Sequence, residues 1–202
     1  MILLTVILIF IFILILIVFR PKYKDPILIK NFLDEETCDY IINVSEPQLQ
    51  QSTIDKDMRI DYNVRISDTV WLPHEDPVVK NVLEKCQPLH GKKIENCEKL
   101  QVLRYKPGGF YKPHQDAFES DTNTRIYTCI LALNDDYVGG ETVFPNINKK
   151  FKLSKGDLLF FPTLDTWGFM TPKALHGGEP VIGGEKWICN IWTRRYSYYL
   201  KK

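Results

Sequence analysis

The chain has 202 residues, 45% of them hydrophobic, and 26 Lys and Arg against 25 Asp and Glu leave a formal net charge of +1. That length suits one domain with a sizeable core, and without a concentrated basic stripe nucleic acid is not an expected partner. Five cysteines lie scattered, lacking the short paired spacing of a structural zinc site. Their odd number forbids complete intrachain pairing, and only Cys86 and Cys97 sit in a stretch loop-like enough to be bridged.

Residues 1–19 are apolar except for Thr5, long enough to cross roughly 30 Å of hydrocarbon as a helix. They lack the basic start and small-residue cleavage site of a signal peptide and the polar face of a globular-domain helix. An uncleaved transmembrane signal anchor is therefore expected, followed by a basic juxtamembrane linker at 20–25. Arg20, Lys22 and Lys24 in that linker would by themselves put the rest of the chain in the cytosol. Asn43-Val44-Ser45 is a glycosylation sequon that would report lumenal exposure.

The globular part is read as residues 26–202. A short strand after Pro26 leads to a helix that begins after Asp34, a capping residue, with Glu35 and Glu36 in its first turn. The helix should end near Glu46-Pro47. Residues 48–63 are polar and irregular, a loop or edge hairpin and a candidate lid. Strand character resumes at 64–72, and Val78, Val79, Val82 and Leu83 mark a scaffold helix over 77–89. Strands are then expected at 100–105, 111–116, 125–134, 141–145, 151–153, 158–161 and 186–192, broken by Gly, Pro and Asn. That spacing predicts an α+β chain whose catalytic part is an antiparallel double-sheet jelly roll, or double-stranded β-helix.

One stretch carries chemistry: Tyr105 to Asp116 ends in His114-Gln115-Asp116. On a strand, residues two apart share a face, so His114 and Asp116 form half of a metal site. One further histidine would complete the facial triad that leaves positions open on non-haem Fe(II). His176, 60 residues on and between two strands, is the candidate; His74 and His90, in a turn and at a helix end, are read as solvated surface residues. Lys186 stands in the apolar strand Lys-Trp-Ile-Cys-Asn-Ile-Trp, where a buried ammonium needs an anion and a dicarboxylate would supply one.

Taken together, these residues resemble the catalytic domain of prolyl 4-hydroxylases, within the 2-oxoglutarate and Fe(II)-dependent dioxygenases. The resemblance covers roughly 26–196. It rests on Tyr105-x-x-Gly-x-x-Tyr111-x-x-His114-x-Asp116, Gly139-Gly-Glu-Thr-Val-Phe-Pro145, Lys155-Gly-Asp157, and His176 with Lys186-Trp-x-x-Asn-x-Trp192. It implies a catalytic set of His114, Asp116, His176 and Lys186, in which the first three hold iron and Lys186 pairs with the distal carboxylate of 2-oxoglutarate. Tyr105, Trp192 and Thr128 would line the cosubstrate pocket, and Tyr111, Arg125 and Arg194 would contact peptide at the cavity mouth.

It further implies O2 as oxidant, succinate and CO2 as coproducts, L-ascorbate as the reductant that restores iron, and a proline-rich or collagen-like peptide substrate. A lumenal domain in the endoplasmic reticulum or secretory pathway is expected on the same ground, against the linker charges. Lysine at position 186 favours prolyl 4-hydroxylases over the similar lysyl hydroxylases, which typically carry arginine there. Two positions depart from relatives: Ala132 stands where a tyrosine is usual, and Arg194 where histidine is common. Alternatives are the same iron site acting on lysine, a regulatory prolyl site or a small molecule, and a non-catalytic membrane-tethered binder of proline-rich segments.

Overall fold

A computed structural model of the chain describes residue 10 and residues 19–54, 59–118 and 120–198. Almost all of the expected anchor lies outside these, and among the described residues no helix is long and apolar enough to cross a membrane.

Two antiparallel sheets carry the molecule. The larger runs in the order Ile27–Ile29, Leu158–Pro162, Arg125–Ala132, Lys186–Arg194, Leu100–Tyr105, Asp68–Leu72, Gln50–Gln51, and the smaller in the order Lys149–Phe151, Thr142–Phe144, His176–Gly178, Phe110–His114, Arg65–Ile66. The central strands of the larger sheet are apolar in both phases because both faces are covered. Val102, Cys129, Leu131, Leu158, Cys189 and Ile191 point outward into one core cluster. Their alternates Leu103, Ile130, Ala132, Leu159, Phe161 and Ile188 point inward and pack with Phe144 and Phe151 of the smaller sheet. The inward phase of the Lys186–Arg194 strand therefore also carries Lys186, Asn190 and Trp192 toward the space between the sheets.

Two helices cover the outer face. Glu35–Ser45 is capped by Asp34, whose carboxylate accepts from Thr37 N at 2.7 Å. Pro77–His90 is capped by Asp76, which accepts from Val78 N and Val79 N, and ends at Gly91 in the left-handed conformation. They bury Cys38, Ile41, Val79, Val82, Leu83 and Cys86 against the sheet, where each large aliphatic side chain contributes about 1.5–3 kcal/mol. Cys86 therefore sits in a helix and not in a loop, and all five cysteines are free and buried. Cys97, its expected partner, instead lies 3.8 Å from Thr193 Oγ1.

Two further expectations change. His90 is buried at its helix end, accepts from Lys92 N and stacks on Tyr127; burial, with the charge of Lys92, pushes its pKa down to about 4. His74 is half-buried with Nε2 3.0 Å from the Glu98 carbonyl. Neither is a free surface side chain. In the 48–63 stretch, Gln50–Gln51 adds an edge strand and Ile54 bridges Arg59; residues 55–58, the centre of the candidate lid, are outside the described residues.

The Lys155-Gly-Asp157 motif ties the first strand to this frame. Asp157, fully buried, accepts from Lys30 Nζ, Asn31 N and Ser154 N. Gly156 has φ +81°, and a Cβ there would lie 2.3 Å from the Leu33 carbonyl, so only glycine lets the two segments close.

Candidate metal centre

His114 is the last residue of the Phe110–His114 strand and His176 the first of His176–Gly178, and the two strands pair so that these histidines face each other. Asp116, two residues past the strand end, completes the group. One ligand atom from each of the three lies within 4.8 Å of the others. The approach of the strands depends on Gly177, where a Cβ would meet Tyr111 O at 2.8 Å and Pro113 N at 2.9 Å. A side chain there would separate the histidines.

Backbone carbonyls set both imidazole tautomers. His114 Nδ1 lies 2.9 Å from Lys112 O and His176 Nδ1 3.0 Å from Ala174 O, and because a carbonyl can only accept, each Nδ1 carries the proton. Each Nε2 then faces Asp116, at 3.6 Å in both cases. Burial pushes the His176 pKa down to about 4, so that ring is neutral and ready to ligate at physiological pH. Burial alone would raise the Asp116 pKa, but His176, once protonated in acid, followed by His114 and Arg125, holds it well below the usual carboxylate range. Two imidazoles and a carboxylate on one face fit Fe(II) with open positions.

Thr128, expected in the cosubstrate pocket, lies on the inward phase of its strand and donates its hydroxyl to Asp116 Oδ2 at 2.6 Å. It orients a ligand. Loss of such a contact commonly costs about 10–100-fold in metal affinity, so Thr128→Val should weaken Fe(II) binding by that order in a direct titration. At saturating iron its KM for 2-oxoglutarate should stay near the parent value.

Lys186 is 4% exposed and register-paired with Tyr105. Its Nζ donates to Gly140 O at 2.6 Å and lies 5.5 Å from the Tyr105 ring centre. Burial, followed by the charge of Lys152, lowers its pKa to about 8. Among the described residues no carboxylate forms an ion pair with it, although an unpaired buried charge costs several kcal/mol. A small cavity connects it to the metal ligands, lined by Tyr105, Thr142, His114, His176, Lys186 and Asn190. Asn190 Oδ1 and Trp192 Nε1 are also buried, with no hydrogen-bond partner among the described residues. A cation at one end and open ligands at the other fit a 2-oxo dicarboxylate. Ala132 is fully buried in the inner cluster and brings no hydroxyl to this space.

The Trp192 ring packs against the Arg125 guanidinium, 3.5 Å from its centre, and against Trp71, 5.8 Å away. Arg125 donates to Glu98 at 2.6 and 2.8 Å, and Arg194 donates to the same carboxylate at 2.8 Å and to Asp121 at 2.5 Å. Tyr111 stacks on His114, centroids 3.7 Å apart, with the Arg65 guanidinium 4.7 Å from its ring. Burial raises its pKa to about 12, keeping the phenol neutral. Glu98 was not singled out from sequence, where Glu98-Lys99 looks like solvated loop. The signal emerges only with strand pairing: Arg125 and Arg194 are register partners, and neighbouring like charges require an anion between them.

What this geometry selects is a class, an oxygenase that works with Fe(II), O2 and 2-oxoglutarate. A family model described as the 2OG-Fe(II) oxygenase superfamily matches residues 100–194. Prolyl 4-hydroxylase 1 of Arabidopsis thaliana is 34% identical over 194 residues, covering 84% of this chain and 68% of that protein. Human prolyl 4-hydroxylase subunit alpha-1 is 31% identical over 186 residues, which are 85% of this chain and 35% of the subunit. The crystal structure of the viral collagen prolyl hydroxylase of Paramecium bursaria Chlorella virus-1 with 2-oxoglutarate superposes at a TM-score of 0.71. It is 32% identical, and the match covers 86% of this chain and 97% of that one. The chain belongs to the prolyl 4-hydroxylase family of these oxygenases, and its paired antiparallel sheets match their double-stranded β-helix.

Proposed function

We propose that the enzyme hydroxylates C4 of proline in proline-rich or collagen-like peptides. The observation that carries this reading is the aromatic and cationic pair directly beside the metal ligands: half-buried Tyr111 stacked on His114, with buried Arg65 against its ring. Polyproline II chains present ring faces and free carbonyls, which suit an aromatic platform beside guanidinium donors. The activities in the names of the Arabidopsis and viral relatives support the same substrate class.

When bound, Fe(II) supplies oxidative decarboxylation of 2-oxoglutarate to succinate and CO2, coupled to O2-dependent hydroxylation of a C–H bond. His114, Asp116 and His176 hold the metal, and Thr128 keeps Asp116 turned toward it. Lys186 fixes the far carboxylate of the cosubstrate, while Tyr105 and Thr142 wall its cavity and keep water out. Tyr111 and Arg125 position the proline ring, and Arg194 holds Glu98 in place beside Arg125. L-ascorbate is the reductant proposed to accompany the iron.

Arg125→Ala tests the peptide assignment. Loss of a charge-assisted hydrogen bond costs about 1.5–3 kcal/mol, so kcat/KM for a proline-rich peptide should fall about 10–100-fold. Slow peptide-independent decarboxylation should remain near the parent rate. Equal loss of both activities would assign Arg125 to support of the metal site.

The same proposal includes the location: residues 1–19 as a single-pass anchor, 20–25 as linker, and 26–202 as a catalytic domain in the lumen of the endoplasmic reticulum or secretory pathway. Asn43 is exposed on its helix, open to glycosylation. An endoglycosidase-sensitive shift that vanishes in Asn43→Gln is expected, along with protection from protease in sealed microsomes. Full digestion there would place the domain in the cytosol.

A further inference from the structure

The linker does not hang free of the domain. Lys22 N donates to Thr166 Oγ1 at 2.9 Å, and Thr166 N donates back to Lys22 O at 2.8 Å. Tyr23, next along, has its hydroxyl buried. The partner segment is a tight hairpin after the Leu158–Pro162 strand, closed by a bridge between Leu164 and Met170. Asp165 builds its tip: its carboxylate accepts from Trp167 N and Phe169 N, its carbonyl from Gly168 N, and its own N–H donates to Phe169 O.

The tip is thus ordered by its own backbone, yet it displays two large aromatics to solvent, Trp167 at 57% and Phe169 at 66% exposure. Between linker and hairpin runs an open groove of about 740 Å³, lined among others by Lys22, Lys24, Arg195, Leu89, Leu164 and Trp167. Two acidic residues also line it, against the three cations Lys22, Lys24 and Arg195; Asp25 is offset by Lys149 at 2.9 Å, while Asp165, bonded to the hairpin amides, keeps its charge. The balance that remains is a modest positive excess.

From these contacts we infer that the Leu164 to Met170 hairpin is a second membrane contact, seating the domain on the headgroup layer of an anionic bilayer. The inference rests on residues 1–19 being the anchor proposed above. Lys22 lies three residues past that apolar run, no more than about 11 Å of extended chain, so a hairpin bonded to Lys22 is held at the bilayer surface. Tryptophan and phenylalanine beside lysine and arginine is the chemistry of that interface, where amphipathic rings enter the headgroup layer and cations meet lipid phosphates. Fixed at two points, the domain keeps one orientation to the membrane, and the peptide approaches a site mouth that does not swing on the linker.

The test reconstitutes the full chain in phosphatidylcholine and phosphatidylserine vesicles, with or without bromine on the upper acyl chain, and reads tryptophan emission. Flotation after an alkaline wash is scored first: a chain that does not float overturns both the anchor and this inference. In floated protein, brominated lipid should quench part of the emission. That quenched part should shrink several-fold in Trp167→Phe and persist in Trp71→Phe, with solution decarboxylation unchanged in Trp167→Phe. A floated chain whose bromolipid quenching is the same with and without Trp167 overturns the hairpin contact and leaves the anchor standing. Trp167 shielded from aqueous acrylamide without bromolipid quenching overturns it too, and would show that a peptide or a second copy covers the hairpin.

Discussion

Asp116→Ala is expected to abolish succinate formation, and His114→Ala and His176→Ala to do the same. Asp116 supplies the only anionic ligand among the three and is buried. Truncating one member of a buried charged pair commonly costs about 3–5 kcal/mol, so Fe(II) affinity should fall about a hundred-fold or more. The fold should survive, because the large apolar clusters on both faces of the seven-stranded sheet do not involve the carboxylate; the lost Thr128 contact, a charge-assisted one, costs about 1.5–3 kcal/mol. Far-UV circular dichroism and thermal melting check that side. Near-normal turnover in any one of the three variants would remove that residue from the metal site.

Lys186→Ala should raise the KM for 2-oxoglutarate about a hundred-fold or more while leaving the KM for peptide nearly unchanged, since a buried charge contact of about 3–5 kcal/mol is lost. The wild-type pH profile carries a second signature. In the free enzyme burial lowers the Lys186 pKa to about 8, and only the protonated form attracts a carboxylate. Cosubstrate affinity is therefore full below pH 8 and lost as pH rises through it, by about tenfold per unit once the lysine has deprotonated. Lys186→Arg should flatten that alkaline limb, because guanidinium does not deprotonate in this range. An alkaline limb that persists unchanged in Lys186→Arg would assign it to another group.

Where local chemistry decided the structure, the sequence was legible. Asp34 and Gly91 mark helix ends through their own side chain and backbone freedom, and His114-x-Asp116 brings two ligands together through a spacing of two, although the strand stops at His114. The strands Val138–Gly139, His176–Gly178 and Val181–Gly183 went unread because they are two or three residues long and glycine-rich. Ladder hydrogen bonds define them, and no apolar period signals them. His176 was picked out by its place between two strands once His74 and His90 were set aside, and its opposition to His114 exists only through the pairing that Gly177 permits. Thr128 reaches Asp116 across 12 residues and Glu98 reaches Arg194 across 96. Which phase of an all-apolar strand faces the second sheet, and which loop carboxylate fills the gap between Arg125 and Arg194, are tertiary facts with no local signature.

The central claim is that His114, Asp116, His176 and Lys186 operate as one 2-oxoglutarate and Fe(II)-dependent site that acts on peptidyl proline. It is tested most directly by incubating the full chain with a proline-rich peptide, Fe(II), 2-oxoglutarate, ascorbate and isotopically heavy O2, with mass spectrometry of the product. The account predicts one heavy oxygen on proline C4, one succinate formed per hydroxylation, and neither product when iron or 2-oxoglutarate is withheld. Heavy oxygen on a residue other than proline, or an unmodified peptide beside continuing iron-dependent succinate formation across a proline-rich peptide array, would contradict it.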